Sequence, residues 1–123
     1  MKISLVIVVL ALALVPACDT HKAVKSGAHT MEDVLIKKGF IDSNTYRIVC
    51  RGYPQEGLTG IQKIESAKRA ALLNAYYFVK NTFDESVAPD TDGRAEKFDM
   101  ASDHAVVYYV IRKIGLKRLA IGK

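Results

Sequence analysis

The fold is decided by a stretch that reads TGIQKIESAKRAALLNAYYFVKNTF from Thr59 to Phe83. Thr59 and Gln62 have the spacing of a capping box, in which both side chains satisfy backbone amides at a helix start. The stretch therefore predicts one helix of about 35 Å, at 1.5 Å per residue. One set of residues recurs three and four positions apart and predicts the buried face of this helix: Ile61, Ile64, Ala67, Ala71, Ala75, Phe78 and Thr82.

Strand patterns lie on both sides of this helix in the sequence. Thr45–Arg51 alternates, which predicts a half-buried strand with Tyr46, Ile48 and Cys50 on one face. His104–Lys113 carries apolar residues on both faces. That pattern predicts either a central strand covered on both sides or an edge strand that pairs with another chain.

Three other segments have weaker patterns. Met31–Gly39 predicts a short helix that ends at glycine, although its valine and isoleucine also suit a strand. Asp84–Asp103 is rich in acids and predicts a solvated loop, with a helical turn around Ala95–Ala101. Leu116–Ile121 predicts a last short strand.

These elements predict an α+β fold with one long helix packed on a small antiparallel sheet, in a single domain over residues 31–123. Two strands and one helix make a marginal core, because three or more strands are normally needed for independent stability. We therefore expect one of two solutions. Either the segment around Leu35–Ile41 joins the sheet, or subunits associate.

The beginning of the chain has the pattern of an export signal. The chain has 123 residues, a formal net charge of +5 and 50% hydrophobic residues. Met1-Lys2 is followed by Ile3–Val15, which is apolar apart from Ser4. About 20 apolar residues are needed to span a bilayer, so this run is too short for a membrane helix and is typical of a secretory signal peptide. The remainder of the chain is long enough for one small domain only.

Val15-Pro16-Ala17-Cys18 resembles the lipobox of bacterial lipoproteins. The resemblance implies removal of residues 1–17 by cleavage between Ala17 and Cys18. It also implies a diacylglycerol thioether on Cys18 and acylation of the new amine by a fatty acid such as palmitate. Residues 18–30 would then form a lipidated cysteine and a flexible tether. The implied location is the bacterial cell membrane or outer membrane, with the domain facing the periplasm; the alternative is an ordinary cysteine after a plain signal peptide.

A family resemblance lies in two further segments. Tyr46–Gly52 is a strand that ends in glycine, and Lys63–Tyr76 is an alanine-rich helix with a basic pair. Together they are similar to small envelope lipoproteins related to flagellar basal-disk lipoproteins and to the N-terminal domain of flagellar outer-ring proteins. This resemblance implies a helix-on-sheet fold, a lipid anchor and assembly into larger envelope structures. It supplies no catalytic residue.

The candidate catalytic and metal-binding residues do not form a convincing set. Asp90-Thr91-Asp92-Gly93 has part of the calcium-loop pattern, but the first and twelfth positions are Ala88 and Asp99. This predicts an ordinary acidic turn. Cys50 is the one thiol left if Cys18 is lipidated, and its place on a strand predicts a buried, inert side chain. The histidines are scattered, so we expect no metal, no cofactor and no enzymatic activity: His21, His29 and His104.

Four residues are candidates for an interaction surface: Tyr53, Tyr108, Lys117 and Arg118. Tyr53 lies in a glycine- and proline-containing loop, and the two bases belong to a basic C-terminal segment that could contact anionic lipid, peptidoglycan or the acidic loop of another copy. Nucleic acid is not expected as a partner of an exported protein. The first hypothesis is a lipid-anchored structural or assembly protein. Its expected partners are other copies of the chain or envelope proteins, and an association with flagella is one form of this hypothesis. The alternative is a monomeric binding module for a cell-wall or small-molecule ligand.

Overall fold

A computed structural model describes residues 30–121 of the chain. The predicted signal peptide, the lipobox with Ala17 and Cys18, and nearly all of the predicted tether lie outside these residues. The elements are, in chain order, α1 (Met31–Val34), β1 (Leu35–Asp42), β2 (Thr45–Gly52), α2 (Gly60–Thr82), β3 (Gly93–Met100), β4 (Ala105–Arg112) and a 3₁₀ helix (Leu116–Leu119).

The strands form one four-stranded sheet in the order β1-β2-β4-β3, with every neighbouring pair antiparallel. The 23-residue helix α2 packs on it. This confirms the predicted α+β fold with one long helix on a small antiparallel sheet. The last strand, β4, lies inside the sheet between β2 and β3. The central position of this strand is confirmed and the edge strand is wrong, but among residues 30–121 a helix covers only one face of the strand.

The core lies between α2 and one face of the sheet. Ile48 and Cys50 of β2 and alternate residues of β4 pack under the helix. Gly52 is where helix and sheet come closest, because a Cβ at this position would lie 2.5 Å from the carbonyl oxygen of Ala67 and closer still to the amide nitrogen of Ala71. Small residues on both elements therefore allow this close packing: Gly52, Ala67, Ala71 and Ala75.

The helix differs from its prediction at its first turns. Thr59 is the N-cap residue, but its side chain makes no capping hydrogen bond, so the predicted capping box is wrong. Ile61 is 76% exposed and Ile64 40% exposed, whereas the buried stripe begins at Ala67. The reason is geometric. Gly52 ends β2 opposite Ala67 and Ala71, so the first helical turns extend beyond the end of this strand.

The prediction of a loop and helical turn is wrong for residues 93–100, which form the edge strand β3. Ala95 and Phe98 face the core, and the charged residues around them face solvent. A register shift between Ala95 and Lys97 breaks the alternation by which a strand is recognised in a sequence. The neighbouring strand β4 provides the backbone partners that a loop would lack. Residues 84–92 are loop, as predicted.

Both ends of the described chain also differ in part from their predictions. Only Met31–Val34 is helical, and Leu35–Asp42 pairs with β2, which confirms that the segment around Leu35–Ile41 joins the sheet. Leu116–Leu119 is a 3₁₀ helix, so the predicted last strand is wrong. Ala120 makes a single bridge to Phe83. Gly115, in the left-handed conformation with φ of 78°, turns the chain into this helix.

Candidate interaction surface

The sheet has a second face, opposite α2, on which no helix of residues 30–121 packs. Side chains on β2 and β4 alternate between the two faces, and the set that includes Ile48 and Val107 belongs to the core. The other set points away from α2. Its apolar members from the two central strands lie side by side: Val49, Val106, Tyr108 and Val110.

Basic side chains surround this apolar centre. The strand register places six of them on the same face, against three acids. We call this surface the open sheet face. It is defined by the apolar centre named above, by the bases Lys37, Arg47, Arg51, Arg94, Lys97 and Arg112, and by the acids Asp42, Glu96 and Asp99.

Two arginines flank the middle of the open sheet face. Val110 pairs directly with Arg47 on β2 and with Arg94 on β3. Since neighbouring strands lie about 4.8 Å apart, the two arginine backbones are about 10 Å apart. Val110 itself is only 1% exposed. Neither arginine forms an ion pair within the described part of the chain.

The adjacent row contains the predicted interaction residue Tyr108. Val49 pairs with Tyr108, and Lys97 pairs with it from the other side. The ammonium nitrogen of Lys97 lies 4.6 Å from the centre of the Tyr108 ring, which is a cation–π contact. The ammonium nitrogen of Lys97 also lies 3.9 Å from a carboxylate oxygen of Asp99. Tyr108 is therefore half-buried under a base, with part of its ring at the surface.

Polar contacts at the rim hold other bases of this face in place. A guanidinium nitrogen of Arg112 lies 3.4 Å from a carboxylate oxygen of Glu96. Arg51 donates a 2.7 Å hydrogen bond to the backbone carbonyl oxygen of Asp33. Exposed ion pairs contribute roughly 0–1 kcal/mol to stability and leave their charges in water. The open sheet face therefore keeps a net positive charge that is available to a partner.

The structure does not bring the four predicted interaction residues together. Tyr53 follows the end of β2, half-buried, with its ring centre 5.5 Å from that of His104. Lys117 lies at the opposite end of β2, because its amide donates to the carbonyl oxygen of Ser43, and its ammonium nitrogen lies 5.5 Å from the centre of the Phe40 ring. Arg118 is exposed beside it. Tyr108 alone lies on the open sheet face.

A shallow groove of about 550 Å³ lies on the other side of the molecule, along the outer face of α2. Tyr53, Arg69 and Leu73 are among its lining residues. The groove therefore joins a predicted interaction residue, Tyr53, to a concave surface. Its remaining walls are mixed in character: Gln55, Leu58, Gln62, Glu65, Ser66 and Ala70.

The described thiol is buried, as predicted. Cys50 has no exposed surface, and its sulfur lies 3.5 Å from the carbonyl oxygen of Ala71. Burial raises the pKa of this thiol to about 12. Because the thiolate is the nucleophilic form, Cys50 is a poor nucleophile at neutral pH. Burial also raises the pKa of Tyr109, whose hydroxyl donates a 2.6 Å hydrogen bond to the carbonyl oxygen of Pro89.

The acidic segment that resembles part of a calcium loop forms a hydrogen-bonded turn. The Asp92 carboxylate accepts a hydrogen bond from the Ala88 amide at 2.9 Å and lies 3.4 Å from the Lys113 ammonium group. Within residues 30–121, no three His, Cys, Asp or Glu side chains are grouped as metal ligands. No helix in that same range is both long enough and apolar enough to cross a bilayer.

Comparison with known proteins finds no matching family model, no similar curated protein and no similar solved structure.

The open sheet face was missed by sequence reasoning for a physical reason. The alternation of Arg47, Val49 and Arg51 on β2 indicates a basic face, and this half of the signal is present in the sequence. The other half lies on β3, with Arg94 and Lys97, in a segment whose sequence predicts a loop. Without the pairing of β3 with β4, the two sets of bases cannot be placed on one surface.

Proposed function

We propose that this chain is a lipid-anchored structural protein of the bacterial envelope, with its domain facing the periplasm. The observation that carries the proposal is the Val15-Pro16-Ala17-Cys18 motif directly after the apolar run Ile3–Val15. Lipidation at Cys18 would add two or three fatty chains, which is enough for stable anchoring, whereas a single chain gives marginal binding. The described domain begins at Met31, and the proposal assigns residues 18–30 to a tether between this domain and the anchor.

We propose a structural role without catalysis for the domain. The chemistry of the described residues supports this. The Cys50 thiol is buried and protonated at neutral pH. The acids of residues 84–103 serve turns and surface ion pairs, such as that of Asp92 with Lys113.

The structural role would consist of assembly with other copies or with envelope proteins. A flagellar structure is one such assembly. The sheet edges are poorly suited to such contacts. β1 has two register shifts and carries Lys37 and Lys38, and β3 has one register shift and carries Glu96. Bulges and charges at edge strands disfavour pairing with another sheet. Assembly would therefore use the faces of the domain, and light scattering after size-exclusion chromatography of the detergent-solubilised chain measures whether it self-associates.

Mass spectrometry of the mature N-terminus tests the anchor. The full chain is expressed in a bacterium that matures lipoproteins, and the expected tryptic peptide begins at Cys18 and carries a diacylglycerol group and an acyl group. Cys18→Ser should abolish the lipid mass and the cleavage that produces this peptide, because serine has no thiol to form the thioether. Cys50→Ser is the matched control and should leave the lipid and the membrane location unchanged. An unmodified Cys18, or a leader retained in normally maturing cells, contradicts the proposal.

A second candidate function is a binding module for a cell-wall or small-molecule ligand. The groove along α2, with Tyr53 and Arg69 among its lining residues, favours this candidate. A ligand that binds only the folded protein raises its melting temperature. A thermal-shift screen of the full chain against wall fragments should then give a shift that Arg69→Ala removes. Absence of any shift counts against this candidate.

A further inference from the structure

The two broad surfaces of the domain both carry more bases than acids, and they differ in where the bases lie. The open sheet face carries six bases against three acids, spread over a flat area four strands wide. The helix side also carries bases, but the 84–92 loop packs on that side, where Val87 enters the core and the carbonyl oxygen of Pro89 receives the Tyr109 hydroxyl. This loop adds acids there. The helix side carries six bases against four acids, and its bases are divided between β1, α2 and the C-terminal 3₁₀ helix: Lys38, Lys63, Lys68, Arg69, Lys80 and Lys117 against Glu65, Asp84, Glu85 and Asp90.

We propose that the open sheet face docks on an anionic phospholipid surface, so that the domain lies with β2 and β4 toward the bilayer in which Cys18 is anchored. This inference rests on the proposed function. It adds the orientation of the domain and the chemical class of its contact.

The side chains of the open sheet face suit phosphate headgroups. Arg47 and Arg94 flank Val110, and guanidinium groups bind phosphate oxygens through paired hydrogen bonds. Between the bases lies Tyr108, and tyrosine is enriched at membrane–water interfaces, where its ring contacts apolar groups and its hydroxyl stays in water. Bases around a half-buried tyrosine therefore match the chemistry of a headgroup layer.

The length of the tether permits the same orientation. Residues 18–30 span at most about 45 Å, because an extended chain covers about 3.5 Å per residue. The chain enters the domain through α1, and the carbonyl oxygen of Asp33 in this helix accepts a hydrogen bond from Arg51 of the open sheet face. The chain thus enters at an edge between the two faces, because Val34 of the same helix lies in the core. Such a short connection gives the face a high effective concentration at the bilayer, even if its intrinsic affinity is weak.

A tryptophan reporter tests the proposal directly. The chain contains no tryptophan, so Tyr108→Trp introduces a single fluorophore on the open sheet face. The full lipidated chain is placed in vesicles of brominated phosphatidylcholine, with or without brominated phosphatidylglycerol. We expect several-fold stronger quenching and a blue shift in the vesicles that contain phosphatidylglycerol. Both effects should decline as salt is added, because salt screens the attraction between exposed charges.

Two matched controls separate docking from general proximity to the bilayer. Tyr77→Trp places the reporter on α2, where Tyr77 is 49% exposed, and its quenching should not depend on phosphatidylglycerol. In the Tyr108→Trp background, Arg47→Glu with Arg94→Glu should lower quenching to the level seen without the anionic lipid. Lys63→Glu with Lys80→Glu changes the charge equally on the helix side and should have no effect. Circular dichroism confirms that each variant is folded.

Three results would overturn the proposal. The Tyr108→Trp reporter remains unquenched, the Tyr77→Trp reporter is quenched as strongly, or the Tyr108→Trp emission shifts with protein concentration in the absence of lipid. The last result would indicate that another copy covers the face. The N-terminal mass of the same preparation is measured first, so a missing anchor and a failure to dock are distinguished.

Discussion

Among the glycines of residues 30–121, Gly52 leaves the least room for a side chain. It is buried at the end of β2, where the backbone of α2 passes so closely that a Cβ would lie 2.5 Å from the carbonyl oxygen of Ala67. The obstacle is backbone on a long helix, which cannot move aside as a flexible side chain can. Gly39, in β1, has nothing within 4 Å of the place where its Cβ would be.

Gly52→Ala should therefore lower the free energy of unfolding by about 3 kcal/mol or more, since overpacking against a rigid neighbour forces the helix away from the sheet. Gly39→Ala is the matched control. It should leave stability unchanged or raise it by about 0.5 kcal/mol, because alanine restricts the unfolded chain. Urea denaturation followed by circular dichroism measures both. Equal stability of the two variants would show that the helix does not approach Gly52 this closely.

The burial of Cys50 should be visible in two measurements. One is the alkylation rate of its thiol, and the other is the change in unfolding free energy at alkaline pH. At pH 8 the tryptic peptide of residues 48–51 should resist alkylation in the native protein and react once urea unfolds it. The unfolded thiol ionises near its ordinary pKa of 9.0, whereas the folded thiol keeps its proton until about pH 12. Its contribution to stability is thus complete below pH 9 and is lost as pH rises toward 12.

Cys50→Ala should accordingly reduce the slope of unfolding free energy against pH above 9. The slope should not vanish, since burial raises the pKa of Tyr46 and Tyr109 in the same direction. A native thiol that is alkylated as fast as the unfolded one would contradict the buried position.

At the scale of elements, the start of α2 is held by the preceding loop and not by its N-cap side chain. Ser66, one and a half turns into the helix, accepts a 2.8 Å hydrogen bond from the amide of Gln55. Asn74 donates a 2.8 Å hydrogen bond to the carbonyl oxygen of Arg51. These two bonds attach the loop and the end of β2 to the side of the helix.

Ser66→Ala should therefore cost about 1 kcal/mol of stability, the usual contribution of one such hydrogen bond. Thr59→Ala should cost less than about 0.5 kcal/mol, although loss of a bonded threonine cap typically costs about 1 kcal/mol. The Thr59 side chain makes no such bond here. Thermal and urea unfolding of the two variants provide the comparison, and a larger loss for Thr59→Ala would indicate that the capping box forms in solution.

The elements with regular patterns were predictable from the sequence, and those shaped by their neighbours were not. The alanine stripe predicted the helix α2, and strict alternation predicted the strand β2. β1 and β3 contain register shifts at the edges of the sheet, where bulges and charges hide the period of two. The candidate surface could not be predicted because it depends on β3. Of the four predicted interaction residues, only Tyr108 lies on this surface, since the other three lie outside the strands.

At the scale of the whole molecule, the segment after β4 closes the core. Leu116 has no exposed surface, and the amide of Asp84 donates to the carbonyl oxygen of Leu119 at 2.9 Å. The amide of Ile121 donates to the carbonyl oxygen of Thr82 at 2.8 Å. The C-terminal segment thus joins the end of α2 to the end of the sheet.

Leu116→Ala should lower the free energy of unfolding by about 3 kcal/mol, as is typical when a buried leucine is truncated and leaves a cavity. Ile114→Ala, two residues earlier and 90% exposed, is the matched control and should change stability by less than about 0.5 kcal/mol. Differential scanning calorimetry gives both values. Similar melting temperatures for the two variants would mean that the C-terminal segment is dispensable for the core.

The strand order also governs when the chain is able to fold during its biosynthesis. The strand made last occupies the middle of the sheet, so β1 and β2 can form only an isolated hairpin, and β3 has no neighbour until residues 105–112 emerge. A hairpin alone is marginally stable in water. A nascent polypeptide of this topology would therefore stay unfolded until residues 105–112 have been made and can pair with both neighbouring strands.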